Sequence, residues 1–395
     1  MSNIYILSGA RTAFTAFGGS FQSVNATELG TATAVEALNR AELDGKDIDQ
    51  VVYGNVIHSS TNAAYLARHI ALKANVPIET PALTVNRLCG SGMQAIVSAA
   101  QGIRLGESNL ALVGGAENMT MSPHSNFNSR FSGVKYGSFQ FEDMLMNTLT
   151  DQYTGIGMGI TAENLAEKYE ISREEQDEFA LLSQQRATEA IQSGIFAEEI
   201  TAVEIPARGG SKQIVEDEHV KKDMTLEKLA SLRPSFKKDG TVTAGNASGI
   251  NDGAASLVLA SEAAVKDRAQ NPLAKIVSWG ITGVDPSIMG IGPVPAIQQA
   301  LQRAQLTLDQ IDRIEINEAF AAQYLAVEKE LGLDRNKTNV HGGAIALGHP
   351  VGASGSRIVL SLANELRRNG LRYGIASLCI GGGQGIALII ENENV

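Results

Sequence analysis

Strands and helices alternate in two separate stretches of this 395-residue chain, and that rhythm restricts the fold more than any other feature. Short apolar runs at residues 4–7, 50–54, 82–85 and 110–113 read as strands. Helical periodicity over 28–43, 63–72 and 92–105 lies between them. The pattern returns after residue 272, with strands at 275–279, 313–316, 373–379 and 385–390 and helices over 294–304, 320–331 and 354–368. Such alternation predicts an α/β protein with a layered core. Cys89-Gly-Ser-Gly-Met-Gln-Ala-Ile loosely matches Ala353-Ser-Gly-Ser-Arg-Ile, each opening a long helix, which suggests two repeated halves.

Between the halves the rhythm breaks. A loop-like MSPHSNFNSRFSG stretch covers 121–133, a charged helix 162–169 and a longer helix 172–193. Ser172 and Glu175 have the spacing of a capping box for the longer helix. A charged, weakly periodic segment then runs over 204–238, and residues 256–260 return as a strand of the first half. The expected division is 1–119 with 251–271, an inserted loop domain 120–250, and 272–395.

Composition narrows the function. The formal net charge is −11, from 43 acidic and 32 basic side chains, which argues against a nucleic-acid surface. The two cysteines, Cys89 and Cys379, suggest no disulfide framework and lack CxxC spacing. The first twelve residues lack the basic start and apolar run of a secretion signal, and no apolar stretch of about 18 residues predicts a membrane span. A cytoplasmic location is expected. Neither a G-x-G-x-x-G turn after the first strand nor a G-x-x-x-x-G-K-[ST] loop is present, so dinucleotide and nucleotide-triphosphate chemistry are not indicated.

Four windows concentrate the chemistry. In NRLCGSGM (86–93) a strand gives way to a helix through small residues. A thiol at that turn meets unpaired backbone N–H groups and the positive helix end, which favours thiolate. The alternative is a buried structural cysteine. GGAIALGHPVGASG (342–355) places His349 before a proline and among glycines, a setting that can fix an imidazole for proton transfer. A packing or surface histidine is the bland alternative. CIGGGQG (379–385) puts Cys379 at a glycine-lined strand end, with the Gly381 N–H nearby, although core packing explains the same pattern. NEAFAAQ (317–323) follows another strand; Asn317 and Glu318 either orient reacting groups or cap the next helix.

Taken together, these windows resemble the thiolase family, as do GGAENMTMSPH (114–124) and GTVTAGNASGINDGAA (240–255), over nearly the whole chain. The resemblance implies a thiolase-like fold, two similar α/β halves in five layers with an inserted loop domain over the site. It implies acetyl-CoA C-acetyltransferase activity, joining two acetyl-CoA into acetoacetyl-CoA and CoA or the reverse. Longer-chain 3-ketoacyl-CoA thiolysis is the alternative, and a silent acyl-CoA-binding protein a remote one. By resemblance Cys89 carries the acyl group, His349 activates it, and Cys379 is the acid/base at the substrate α-carbon. One oxyanion hole comes from the N–H groups of Cys89 and Gly381, the other from His349 and a water on Asn317.

Ser248 matches the family serine beside the pantetheine. Leu149, Met158, Phe236, Ala244, Met289, Ala319 and Phe320 fall where the family lines its CoA tunnel. Lys221 is a candidate phosphate contact within an acidic neighbourhood. No metal and no bound cofactor are implied, CoA and its thioesters being substrates. A homodimer, assembled as a homotetramer, is the expected state. Three positions depart from the family pattern. Gly157 replaces a histidine at the acyl pocket, His341 replaces an asparagine ahead of the His349 motif, and Ala13 replaces a proline near the start.

Overall fold

The first half begins with β1 (Ile4–Arg11), α1 (Ala26–Arg40), β2 (Gln50–Gly54), α2 (Leu66–Lys73), β3 (Ala82–Val85), α3 (Ser91–Leu105) and β4 (Leu110–Asn118). After the insertion, which carries α4 (Met158–Lys168) and α5 (Arg173–Gln192), β5 (Asn251–Ser261) completes it. The second half contains β6 (Ala274–Gly283), α6 (Pro293–Ala304), β7 (Arg313–Ile316), α7 (Ala321–Leu331), α8 (Ser354–Asn369), β8 (Tyr373–Ile380) and β9 (Gln384–Glu391). The structure is a computed structural model that describes residues 3–131, 133, 135–207 and 209–395. Ser132 of the loop-like stretch and Arg208 of the charged segment lie outside the described residues.

The halves repeat one pairing scheme. In the first the order is β3-β2-β4-β5-β1, with β2 parallel to β3 and β4, and β5 antiparallel to β4 and β1. In the second the order is β7-β8-β9-β6, with β7 parallel to β8, and β9 antiparallel to β8 and β6. A parallel bridge from Ile314 to Thr338 stands where β3 stands in the first half. Ile4, Tyr5 and Ile6 of β1 pair with β6 and join the two sheets.

Side-chain alternation along the strands builds the layers. Tyr5, Leu7, Val51, Tyr53, Leu110 and Leu112 point to the face covered by α1 and α2. Ile4, Ile6, Val52, Ala111 and Val113 point to the other face, where they meet α3 and α8. The second sheet gives Leu378, Ile380, Leu388 and Ile390 to that same central layer. Its opposite face, with Ile314, Ile375 and Ile389, packs on α6 and α7. The result is helix, sheet, helix, sheet, helix, with α3 and α8 sandwiched between the sheets.

Four strands, β1, β4, β5 and β6, outrun their sequence expectation for a tertiary reason. Gly114 and Gly115 read as the end of a strand, yet β4 continues to Asn118 because β5 pairs with it from Ala260 to Asp252. β6 continues likewise to Gly283 along β9. In the insertion, Ser172 and Glu175 do form a capping box on α5. Phe179 of that helix stacks on Tyr324 of α7 with ring centroids 4.0 Å apart. The charged segment contains an antiparallel hairpin, Val203–Ala207 with Gly210–Ile214, which its composition did not announce. Among the described residues no helix is long and apolar enough to cross a membrane.

Candidate active site

The four chemical windows sit where β3, β7 and β8 run out and where the chain enters α8, at one end of the layered core. Cys89 occupies the turn from β3 into α3. Leu88, just before it, has φ +45°, a left-handed conformation that costs a non-glycine residue roughly 1–3 kcal/mol. The turn is held by Ser91, whose Oγ donates to Leu88 O at 2.7 Å and accepts from Arg87 N at 2.8 Å. The backbone N–H groups of Gly381 and of Cys89 itself lie near the Cys89 sulfur and favour its thiolate.

Cys379 is the penultimate residue of β8 and is fully buried. It packs with Met289 and Ala319, with Met158 and Phe320 against the same cluster. Asn317 follows β7, its N–H bonded to Ser377 O at 3.0 Å, beside the end of β8. Its Nδ2 lies 3.4 Å from His349 Nε2, while its buried Oδ1 has no hydrogen-bond partner. The turn does not cap α7: the N-cap is Phe320 and makes no side-chain cap bond. Glu318 is instead a buried acceptor, taking bonds from Ser183 Oγ, Asn339 Nδ2 and Ile345 N.

His349 is fixed on three sides. Its backbone N–H donates to Asn251 Oδ1 at 2.9 Å, across from the first residue of β5. Gly348 before it has φ +100°, and a Cβ there would lie 2.4 Å from Asn251 Cγ, so only glycine fits. On the ring, Nδ1 lies 2.6 Å from Ser354 Oγ, and that hydroxyl donates to Pro350 O at 2.9 Å. With its one proton committed to Pro350, Ser354 must accept from Nδ1–H, which leaves Nε2 as the basic nitrogen. It is the nitrogen that faces Asn317.

Burial sets the resting protonation states. It pushes the Cys89 thiol up to about 11, against the two N–H donors and with the Glu117 carboxylate adding to the rise. The expectation that the helix end favours thiolate is therefore outweighed by desolvation. Burial also pushes Cys379 up, and the neighbouring Cys89 adds to it. His349 is held down to about 3, first by burial and then by the Arg357 charge. The site thus rests with two mutually interacting thiols and a neutral imidazole.

Most of the other expected residues gather here. Leu149 packs in the cluster that holds Cys89. Met158 and Gly381 line one cavity of about 250 Å³ together with Val56, Asn86 and Leu88. Phe236 stands edge-on to Phe320 at 6.1 Å between centroids. Ser248 donates its N–H to Ala319 O at 2.9 Å, and Ala247 bridges Phe320. Two residues are set apart: Ala244 is exposed on the loop leading to Ser248, and Lys221 lines a separate surface pocket with Lys222, Met224 and Lys228. His341 does not touch His349; its Nε2 lies 2.7 Å from Glu365 Oε2, in a group with Arg313 and Arg368. Ser354, Asn251 and Glu117 were not singled out as site residues by the sequence reading. Their signal was position, each a polar residue inside a glycine-rich window at a strand or helix end.

Similarity to known proteins agrees with this constellation. Residues 4–263 match the thiolase N-terminal domain and residues 270–392 the thiolase C-terminal domain. The mitochondrial 3-ketoacyl-CoA thiolase of Homo sapiens is 51% identical over 393 residues, 99% of each chain. The crystal structure of that human enzyme in complex with CoA superposes with a TM-score of 0.96, at 51% identity over 99% of this chain and 98% of that one. The acetyl-CoA acetyltransferase of Bacillus anthracis superposes with a TM-score of 0.96, at 48% identity over 99% of both chains. The chain belongs to the thiolase family and is an acyltransferase of that family.

Proposed function

We propose that this acyltransferase interconverts a 3-ketoacyl-CoA plus CoA with acetyl-CoA plus a shortened acyl-CoA, on acyl chains from acetyl upward. The acetyl-CoA C-acetyltransferase reaction expected from the motifs is the shortest member of that series. The observation that carries the extension is the space at Gly157. It is the N-cap of α4, beside Met158, and a Cβ built on it would meet only Leu149 O, at 3.7 Å.

In the condensing direction, Cys89 gives its proton to His349 Nε2 and its sulfur attacks the thioester carbonyl of an acyl-CoA. The oxyanion develops beside the N–H groups of Cys89 and Gly381, both of which act on the resting sulfur. The CoA thiolate that departs takes the Cys379 proton. Cys379, now a thiolate, removes an α-proton from acetyl-CoA. The carbanion attacks the acyl-Cys89 carbonyl, forms the carbon–carbon bond and releases the Cys89 thiolate, which recovers its proton from His349. Protons balance only if Cys379 acts as acid before it acts as base. Its raised pKa suits the second step, because a strong thiolate base is needed at a carbon acid; it opposes the first, which the release of CoA from the site has to draw forward.

Chain length is the first test. Thiolysis rates on 3-ketoacyl-CoAs of increasing length are expected to stay high beyond acetoacetyl-CoA. A collapse after the four-carbon substrate returns the assignment to the acetyl-specific reading. Gly157→Phe, at a φ of −75° open to any side chain, is expected to lower kcat/KM for 3-ketooctanoyl-CoA at least ~10-fold more than for acetoacetyl-CoA.

The imidazole relay is tested separately. Ser354→Ala removes the acceptor that holds Nδ1–H, and kcat is expected to fall roughly 10- to 100-fold with KM nearly unchanged. Steady-state thiolysis checks this, and a wild-type kcat rules out Ser354 as the group orienting His349.

A further inference from the structure

We propose that Glu117 is a positioning residue that sets the separation of Cys89 and His349 by holding both of their loops on one buried carboxylate. The inference rests on the roles of nucleophile and base given to those two residues. Glu117 is the penultimate residue of β4 and is fully buried. Its Oε2 accepts from Gly352 N at 3.0 Å and from Val56 N at 2.9 Å. Its Oε1 accepts from Ile57 N at 3.1 Å and from Asn55 Nδ2 at 3.0 Å. Four donors converge on it and favour the carboxylate. Burial outweighs them and pushes Glu117 up to about 8, so the charge is fully developed only above that pH.

One arm leads to the base. Gly352 is three residues past His349, and a Cβ there would lie 2.6 Å from Glu117 Oε2. The loop therefore rests directly on the carboxylate. The second arm leads to the nucleophile. Val56 O accepts from Asn86 Nδ2 at 3.3 Å, and Asn86 Oδ1 accepts from Leu88 N at 2.9 Å. Leu88 is the left-handed residue that aims Cys89. Val56 also packs with Cys89 against Val351 of the His349 loop. Through these contacts a single side chain, far in sequence from Gly352 at a separation of 235 residues, reaches both reacting groups.

Above about pH 8, where Glu117 is ionised, its charge has a second effect, since it is one of the groups that push the Cys89 thiol up. The nearby Asp252 carboxylate on β5 is occupied by Thr120, which donates through both N–H and Oγ. Glu117 thus aligns the nucleophile while making it a weaker acid, and removing its charge separates the two effects.

In Glu117→Gln an amide NH2 meets N–H donors on one side, so one pair of bonds is lost. Thiolysis of acetoacetyl-CoA is expected to fall ~100-fold in kcat, as for a misplacement of about 1 Å between reacting groups, with KM within about threefold. Alkylation of Cys89 by iodoacetamide above about pH 8 is expected to move to lower pH at the same time. The shift counts in a variant whose melting temperature and circular dichroism match the wild type, because unfolding would expose the thiol and lower its pKa as well. A folded Glu117→Gln protein with wild-type kcat and an unmoved alkylation profile overturns the proposal. If that variant does not fold, Gly352→Ala serves instead: it pushes the His349 loop off the carboxylate, and wild-type kcat there is equally fatal. Acetylation of Cys89 in the unmodified enzyme tests the underlying nucleophile assignment by itself, so the two failures are distinguishable.

Discussion

Cys89→Ala is expected to lose both thiolysis and condensation by on the order of a million-fold, the scale seen when a covalent nucleophile is deleted. No other described group can replace it. Cys379 is completely buried at the end of β8, whereas Cys89 is partly exposed at the turn into α3 and has the Gly381 N–H near its sulfur. Mixing wild-type protein with acetyl-CoA is expected to add one acetyl group at Cys89, visible by mass. The alanine variant should stay unmodified, and acetylation elsewhere at the wild-type rate would sink the assignment. The pH dependence follows from the resting states. With the thiol pushed up to about 11, alkylation of Cys89 in the free enzyme accelerates as pH rises toward that value, because only the thiolate reacts. With His349 held down to about 3, its imidazole is neutral throughout the neutral range, so its titration leaves no step in the pH profile there.

Much of the frame could be read from local pattern. β2, β3 and β7 begin and end where their apolar runs do, because Gly, Pro or Asn close them on the spot. β4 could not be delimited that way: its last five residues owe their strand conformation to β5, which arrives after the whole insertion. The site divides along the same line. Cys89, His349, Cys379 and Asn317 stand out because each is a reactive residue in a constrained turn. Ser354 lies only five residues from His349, but its use depends on the bend at Pro350. Glu117 and Asn251 hold the His349 loop from the far half of the chain, and no local pattern encodes a bond of that span. Electrostatics was the least readable part. A helix end predicted an acidic thiol at Cys89, yet depth of burial, which a sequence window does not contain, reversed the sign.

Cys379→Ala is expected to separate the two halves of the reaction. Carbon–carbon bond formation should fall by about 10³- to 10⁴-fold, as for loss of a positioned acid/base, with slower but detectable acetylation of Cys89. The asymmetry follows from proton balance. A CoA thiolate is already a good leaving group and can take a proton from water, so the first half survives without Cys379. Deprotonation of acetyl-CoA has no solvent substitute: Met158, Met289, Ala319 and Phe320 around Cys379 carry no base, and His349 holds the Cys89 proton at that stage. The distinguishing measurement is deuterium entry at the acetyl methyl of acetyl-CoA in D2O. It should occur with wild-type enzyme and vanish in the variant, while the variant still shows acetyl-Cys89 by mass. Exchange at the wild-type rate would move the α-carbon base to His349, the one other group here able to take a proton. The order of events would change with it, since an imidazole already protonated by Cys89 cannot receive a second proton until the first has gone to CoA.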